Sequence, residues 1–99
     1  MAVGDVISAI VSASSGGRMS IQPAAGVEWV IQNIWIGSTT VSFDLELFDG
    51  ANTITALSSA TGPLVISNMQ FHANNSIYPR VLNNDAGTRQ FGYDGVQTK

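Results

Sequence analysis

The sequence predicts an all-β protein: a single small antiparallel β-sandwich over residues 1–99, jelly-roll-like or otherwise Greek-key, with seven or eight short strands. Three observations predict this fold. After residue 17 the apolar residues recur with a period close to two, which is typical of strands with one buried face. Turn-forming clusters of Gly, Pro, Asn and Asp recur roughly every 8–12 residues. The length and the absence of cysteine leave room for one modest hydrophobic core without disulfides.

The N-terminal segment fits two structures, because its apolar residues over positions 3–11 also match a helical stripe. We favour a strand, since β-branched residues dominate and Ser and Gly weaken a helix. Breaks rich in Gly, Pro and Asn then separate the remaining predicted strands. These strands cover residues 18–22, 27–36, 41–48, 64–67, 69–72, 77–82 and 88–93.

The clearest strand covers residues 41–48, where apolar and polar side chains alternate. Asp49-Gly50 follows directly and predicts a two-residue hairpin turn that places Leu45 opposite Ile54. Pro79 cannot donate a backbone hydrogen bond, so the strand over residues 77–82 is expected at a sheet edge or beside a bulge.

The segment over residues 27–36 is apolar on both faces, which a half-exposed strand would not be. Strict alternation places Val30, Ile34 and Ile36 on one face, opposite the face of the tryptophans. One interpretation is a central strand covered by the core on one side and by a loop on the other. The other is that Val30, Ile34 and Ile36 form a subunit or capsid interface, because large apolar patches rarely stay exposed.

Four aromatic residues support an alternative kind of site. Flat aromatic faces beside Asn and Asp side chains are what saccharide recognition uses, although aromatics at strand spacing are more often core. The candidate platform consists of Trp29, Trp35, Tyr78 and Tyr93.

The sequence carries no catalytic or metal-binding signature. There is no cysteine and only one histidine, His72, and no Gly-x-Ser-x-Gly motif is present. Asp44, Glu46 and Asp49 resemble a set of oxygen ligands, but their spacing fails the calcium loop pattern, and a solvated hairpin face explains them. We therefore predict no catalytic residue, no metal and no cofactor, and a protein that is not an enzyme.

The charge balance disfavours two classes of partner. A net charge of −3 with four basic residues repels a phosphate backbone, so nucleic acid is not an expected partner. No apolar run reaches the ~18 residues of a membrane span, and no Lys or Arg precedes the apolar stretch at residues 6–11 as in a signal peptide. Thirty Asn, Gln, Ser and Thr residues against 11 charged ones suit a chain that works among packed copies.

Two stretches resemble small β-sandwich virion proteins of tailed bacteriophages. Residues 20–34, SIQPAAGVEWVIQNI, are similar to the segment that leads into the first long strand of those proteins. The C-terminal stretches IYPRVLNN (residues 77–84) and FGYDGV (residues 91–96) are similar to their tail. Pro79 departs from that pattern.

The resemblance implies a capsid decoration (cement) protein that binds the outside of the capsid and stabilises it. It implies a chain made in the host cytoplasm that ends in the virion, with itself and the major capsid protein or other virion proteins as partners. The homo-oligomer expected from capsid symmetry axes is a trimer. The alternative is a tail or head-fibre adhesion module that binds host surface carbohydrate.

Overall fold

The computed structural model describes residues 2–38, 40–62, 64–67 and 70–99, and this part of the chain contains strands and turns but no helix. It therefore offers no helix that could cross a membrane. The strands are β1 (Val6–Ala13), β2 (Arg18–Ser20), β3 (Glu28–Trp35), β4 (Ser42–Phe48), β5 (Thr53–Thr61), β6 (Val65–Ile66), β7 (Phe71–Asn74), β8 (Tyr78–Asn83) and β9 (Arg89–Gln97). The N-terminal segment is a strand, as predicted.

The described strands form two antiparallel sheets with the order of a jelly roll. One sheet runs β1-β9-β3 and then β6 and β7, which both pair with β3 along the edge opposite β9. The other runs β2-β8-β4-β5. Nine strands thus occupy eight positions, and the predicted β-sandwich is confirmed. The predicted strand over residues 69–72 is seen as β7, while Met69 lies outside the described residues.

The core lies between the two sheets and is built by alternate residues of their inner faces. Its largest side chains, two phenylalanines among them, are almost fully inaccessible to solvent. They are Phe43, Phe91, Met19, Ile21, Ile31, Ile34, Ile36, Leu45, Val41 and Val81.

The β4–β5 hairpin exists, but the predicted register is wrong. Leu47, rather than Leu45, lies opposite Ile54, because the loop has four residues instead of two. The Asp49 carboxylate closes this loop by accepting hydrogen bonds from the backbone N–H groups of Asn52 (2.6 Å) and Ala51 (2.9 Å). These bonds, first the one from Asn52, lower the pKa of Asp49, so the ionised form stabilises the turn. Two further register shifts make β5 a bulged edge strand.

Pro79 does not place β8 at an edge. β8 is an interior strand between β2 and β4, and Pro79 is buried. β2 ends at Ser20, one position before it would pair with Pro79, and the Ile21 N–H donates to the Pro79 carbonyl at 3.0 Å. The ladder between β2 and β8 ends at this position, so no ladder hydrogen bond is lost because proline lacks an N–H. An interior strand therefore tolerates Pro79 here.

A fully buried asparagine links two turns that are 70 residues apart in the sequence. The Asn83 side-chain amide donates to the carbonyls of Ala13, Ser14 and Gly87, and its Oδ1 accepts from the Asp85 N–H. Both halves of the amide are thus satisfied, as burial requires. This side chain fixes the β1–β2 turn against the β8–β9 turn.

A carboxylate on the outer face of the four-stranded sheet is held between two arginines. Glu46 Oε1 accepts from Arg80 Nε at 2.7 Å and from Arg18 Nε at 3.0 Å, and Glu46 is 6% exposed. The Arg80 guanidinium also lies 3.7 Å from the centroid of the Phe48 ring.

We expect Glu46→Gln to lower the free energy of unfolding by about 2–3 kcal/mol. The substitution removes the negative charge that two neighbouring guanidinium groups share in a mostly buried site. Urea denaturation measures the change. Glu28→Gln is the matched control, because Glu28 is exposed and its carboxylate lies as far as 4.0 Å from Lys99 Nζ. This substitution should lower the free energy of unfolding by less than about 0.5 kcal/mol. Equal effects of the two substitutions would show that the pairing of Glu46 with its two arginines stabilises the fold no more than the exposed pair does.

Gly95 allows β9 to pack against β3. A Cβ added there would run into the Val30 carbonyl oxygen and would lie 2.9 Å from the Ile31 Cα, and the three nearest atoms all belong to the backbone. Gly95→Ala should therefore destabilise the fold by about 2–3 kcal/mol in urea denaturation. Gly87→Ala meets only the flexible Arg89 side chain and should change stability by less than about 0.5 kcal/mol. Tolerance of Gly95→Ala would show that the sheet can spread at this point.

Candidate functional site

A β-bulge in β3 decides which residues face outwards. Ile31 pairs with Gly95 and Asn33 pairs with Asp94, so β3 contains one residue more than β9 between these two pairs. An extra residue reverses the alternation of side chains beyond it. Ile31 before the bulge and Ile34 after it consequently both point into the core.

The predicted interface of Val30, Ile34 and Ile36 is not one surface. Ile34 and Ile36 have no exposed area in the single chain, because the bulge turns them into the sandwich. Only Val30, which lies before the bulge, remains on the outer face, where it is half-buried. Ile34 and Ile36 are therefore core residues, and an Asp at either position should unfold the chain rather than dissociate copies.

The same reversal exposes Trp35 on the outer face of the five-stranded sheet. Across the sheet, Ile10 of β1 and Trp35 of β3 flank Gly92 of β9, which pairs with both. Gly92 has no side chain, so the two large residues form the walls of a groove of about 640 Å³. Ile10 is 82% exposed and Trp35 46% exposed, and they make this groove largely apolar.

One acidic residue orients the tryptophan wall of the groove. Asp94 Oδ2 accepts from Trp35 Nε1 at 2.8 Å, and Asp94 Oδ1 accepts from Asn33 Nδ2 at 2.8 Å. Asp94 is the one charged residue among the described residues that line the groove, and both of its oxygens have partners within the chain. The groove therefore presents apolar surface beside a single carboxylate, which two neutral donors hold in place.

The four aromatic residues of the predicted platform do not lie together. Trp29 and Tyr93 form a tilted pair with ring centroids 6.0 Å apart, packed against the core on the inner face. Burial raises the pKa of Tyr93 above its usual value, so its hydroxyl is neutral near pH 7. Tyr78 packs edge-on against Phe48 in the other sheet. Of the four, Trp35 and Tyr93 line the groove, while the Tyr93 ring also packs against the core.

The acidic residues of the β4–β5 hairpin accept hydrogen bonds from backbone N–H groups and from two arginines. Glu46 holds the two arginines and Asp49 closes the loop, as described above. Asp44 Oδ1 accepts from the Ser59 N–H at 2.6 Å, at a bulge where Ser59 has a φ of 49°. Among the residues that the structure describes, no three His, Asp or Glu side chains are grouped to hold a metal ion.

Sequence reasoning missed three residues of the groove. Ile10 lies in the N-terminal segment, whose pattern fits both helix and strand, and neither Gly92 nor Asp94 belongs to a predicted site. A glycine inside a strand, here between Phe91 and Tyr93, is a signal of close approach or of an open surface. That signal could have located the groove floor.

Comparisons with known proteins bear on the fold. No protein-family model matches the chain, and no curated protein is significantly similar to it in sequence. The chain is similar in structure to the Drosophila NLP core, whose crystal structure was described as providing insight into pentamer formation and histone binding. The similarity has a TM-score of 0.50 at 16% sequence identity and covers 93% of this chain and 98% of that chain. At this level of identity the likeness shows a shared β-sandwich fold.

Proposed function

We propose that this chain is a structural protein that associates with copies of itself and adheres to a larger assembly through the outer face of its five-stranded sheet. The observation on which this proposal depends is the exposed apolar groove between Ile10 and Trp35. Exposed apolar surface of this kind is typical of protein interaction sites. The pentamer described for the NLP core supports self-association in a chain of similar fold.

The assembly that we propose is the capsid of a tailed bacteriophage, which the chain would decorate and stabilise from outside in the virion. Support comes from the resemblance of residues 20–34 and of the C-terminal stretches to small virion proteins of these phages. The groove suits a mostly apolar segment of a capsid protein, since apolar side chains form both of its walls. Enzymatic activity, nucleic acid and membrane remain outside the proposal.

The alternative is a tail or head-fibre module that binds host carbohydrate. One observation favours it: the Trp35 ring borders a groove that also contains Asp94, Gln90 and Ser8. An aromatic face beside polar side chains can stack on a sugar and bond its hydroxyls. Each Asp94 oxygen accepts one hydrogen bond within the chain and has a lone pair left for a second, so a sugar hydroxyl can donate to it without displacing Asn33 or Trp35.

We expect the purified protein to sediment as a multiple of its 10.4 kDa chain at micromolar concentration. A trimer is the favoured assembly, because three-fold axes are available on a capsid. Analytical ultracentrifugation measures the mass. The measured mass should change little between low and high salt, since the surfaces through which copies associate are expected to be mostly uncharged. A monomer under all these conditions would contradict the proposal.

We expect the protein to co-sediment with capsids stripped of it and to raise their rupture temperature. Trp35→Ala should weaken this binding at least about tenfold, because it removes one wall of the groove. Ile54→Ala is the matched control, since Ile54 is 66% exposed but lies on the other sheet, and it should bind normally. Failure to bind capsids, together with Trp35-dependent retention on host polysaccharide, would favour the carbohydrate module instead.

A further inference from the structure

The edges of the two sheets differ in how they are protected against pairing with another strand. β2 has three residues, while β6 and β7 have two and four. β5 is long but interrupted by two register shifts. Short edge strands and bulges of this kind prevent edge-to-edge association.

β1 is the one edge strand of the described chain without such protection. Its eight residues, VISAIVSA, include no charged residue, no Pro and no Gly. It pairs with β9 in unbroken register from Val6 to Ala13, and its other edge pairs with no described strand. A long, regular, uncharged edge is a template for a further strand.

The backbone groups that β1 leaves free can be assigned from the ladder. The Gln97 N–H donates to the Asp5 carbonyl at 3.0 Å and the Gln97 carbonyl accepts from the Gly4 N–H at 2.7 Å, so the Asp5 carbonyl points towards β9 at the position of a hydrogen-bonded pair. In an antiparallel ladder such pairs alternate along the strand. Ile7, Ala9 and Val11 therefore bond towards β9. The N–H and C=O groups of Ser8, Ile10 and Ser12 consequently point away from the sheet.

The order of polar and apolar residues in β1 is symmetric about Ile10. If two copies of residues 7–13 run antiparallel with Ile10 opposite itself, Ser8 lies opposite Ser12 and Ala9 opposite Val11. Ile7 then lies opposite Ala13, so every pair joins like with like. The same register brings the three outward-pointing residues of both copies together. It completes about six backbone hydrogen bonds, two for each such pair.

We propose that two copies of this chain pair through β1 across a two-fold axis at Ile10, which joins their five-stranded sheets into one continuous sheet. The inference rests on the self-association proposed above and names one contact that produces it. It is separate from any three-fold contact, and in an assembly that contains both it links neighbouring trimers. Half-buried Ala9 and Val11 and the exposed backbone of β1 become covered in this pairing.

A single cysteine tests the contact, because the native chain has none and any disulfide must join two copies. Ile10 and Ile10 of the second copy would form a hydrogen-bonded pair with Cα atoms about 5.5 Å apart, within the range of disulfides. Under mild oxidation, Ile10→Cys should form covalent dimers at least about tenfold faster than Ile54→Cys, because pairing raises its effective concentration. Ile54 is the control because it is similarly exposed, on the bulged edge strand β5.

Charge pairs added to the Ile10→Cys chain test the register. Ser8→Lys with Ser12→Lys places like charges opposite each other twice and should abolish the fast cross-linking. Ser8→Lys with Ser12→Glu places opposite charges there and should retain it. Circular dichroism checks that each variant is folded, which is expected because Ser8 and Ser12 are exposed.

The outcomes separate the two proposals. Equal cross-linking of Ile10→Cys and Ile54→Cys, or equal effects of the two charge pairs, overturns pairing through β1. If the wild type still sediments as an oligomer and binds capsids in that case, the proposed function stands and uses another contact. If the wild type is a monomer and Ile10→Cys does not cross-link, both fail.

Discussion

The outer surface of this protein depends on one extra residue in β3, between the pairs Ile31–Gly95 and Asn33–Asp94. This bulge turns Ile34 and Ile36 into the core and Trp35 outwards. Asp94, directly opposite the bulge, then bonds both Asn33 and Trp35. Without the bulge, strict alternation would expose two isoleucines and bury the tryptophan. The groove, the fixed position of its aromatic wall and the burial of both isoleucines thus all depend on the β3 bulge.

Two glycines in β9 allow the backbones of β1 and β3 to approach it closely, and the bulge depends on this close approach. Gly95 allows the Val30 carbonyl to lie against its backbone, and at Gly92 an added Cβ would lie 2.9 Å from the Ala9 carbonyl oxygen of β1. Glycine inside a strand weakens the strand locally. Here that cost is offset because β9 pairs with both β1 and β3 and is therefore an interior strand of its sheet. At the far end, the buried Asn83 amide keeps β1 aligned through the carbonyls of Ala13 and Ser14.

The sequence was sufficient for the fold class and the approximate strands, because alternation and turn residues are local signals. It was insufficient wherever an extra residue shifted a register. The prediction for Val30, Ile34 and Ile36 assumed strict alternation, which the β3 bulge breaks. The hairpin prediction likewise missed that the Asp49 side chain stabilises a four-residue loop. A bulge depends on a pairing partner distant in the chain, so a single strand's pattern does not contain it.

The groove and the free edge of β1 meet at Ile10. Its side chain forms one wall of the groove, and its backbone N–H and C=O groups point sideways from the edge of the sheet, away from β9. The proposed pairing has its two-fold axis perpendicular to the sheet, so the outer faces of both copies lie on the same side. The two grooves, each centred on β9, would then be separated by three strand spacings, about 14 Å. Both grooves would face one partner surface, and a partner with repeated sites could engage them together. Two weak contacts held at a fixed spacing bind far more tightly than either alone, which is how a chain with few charges can adhere firmly to a repeating surface.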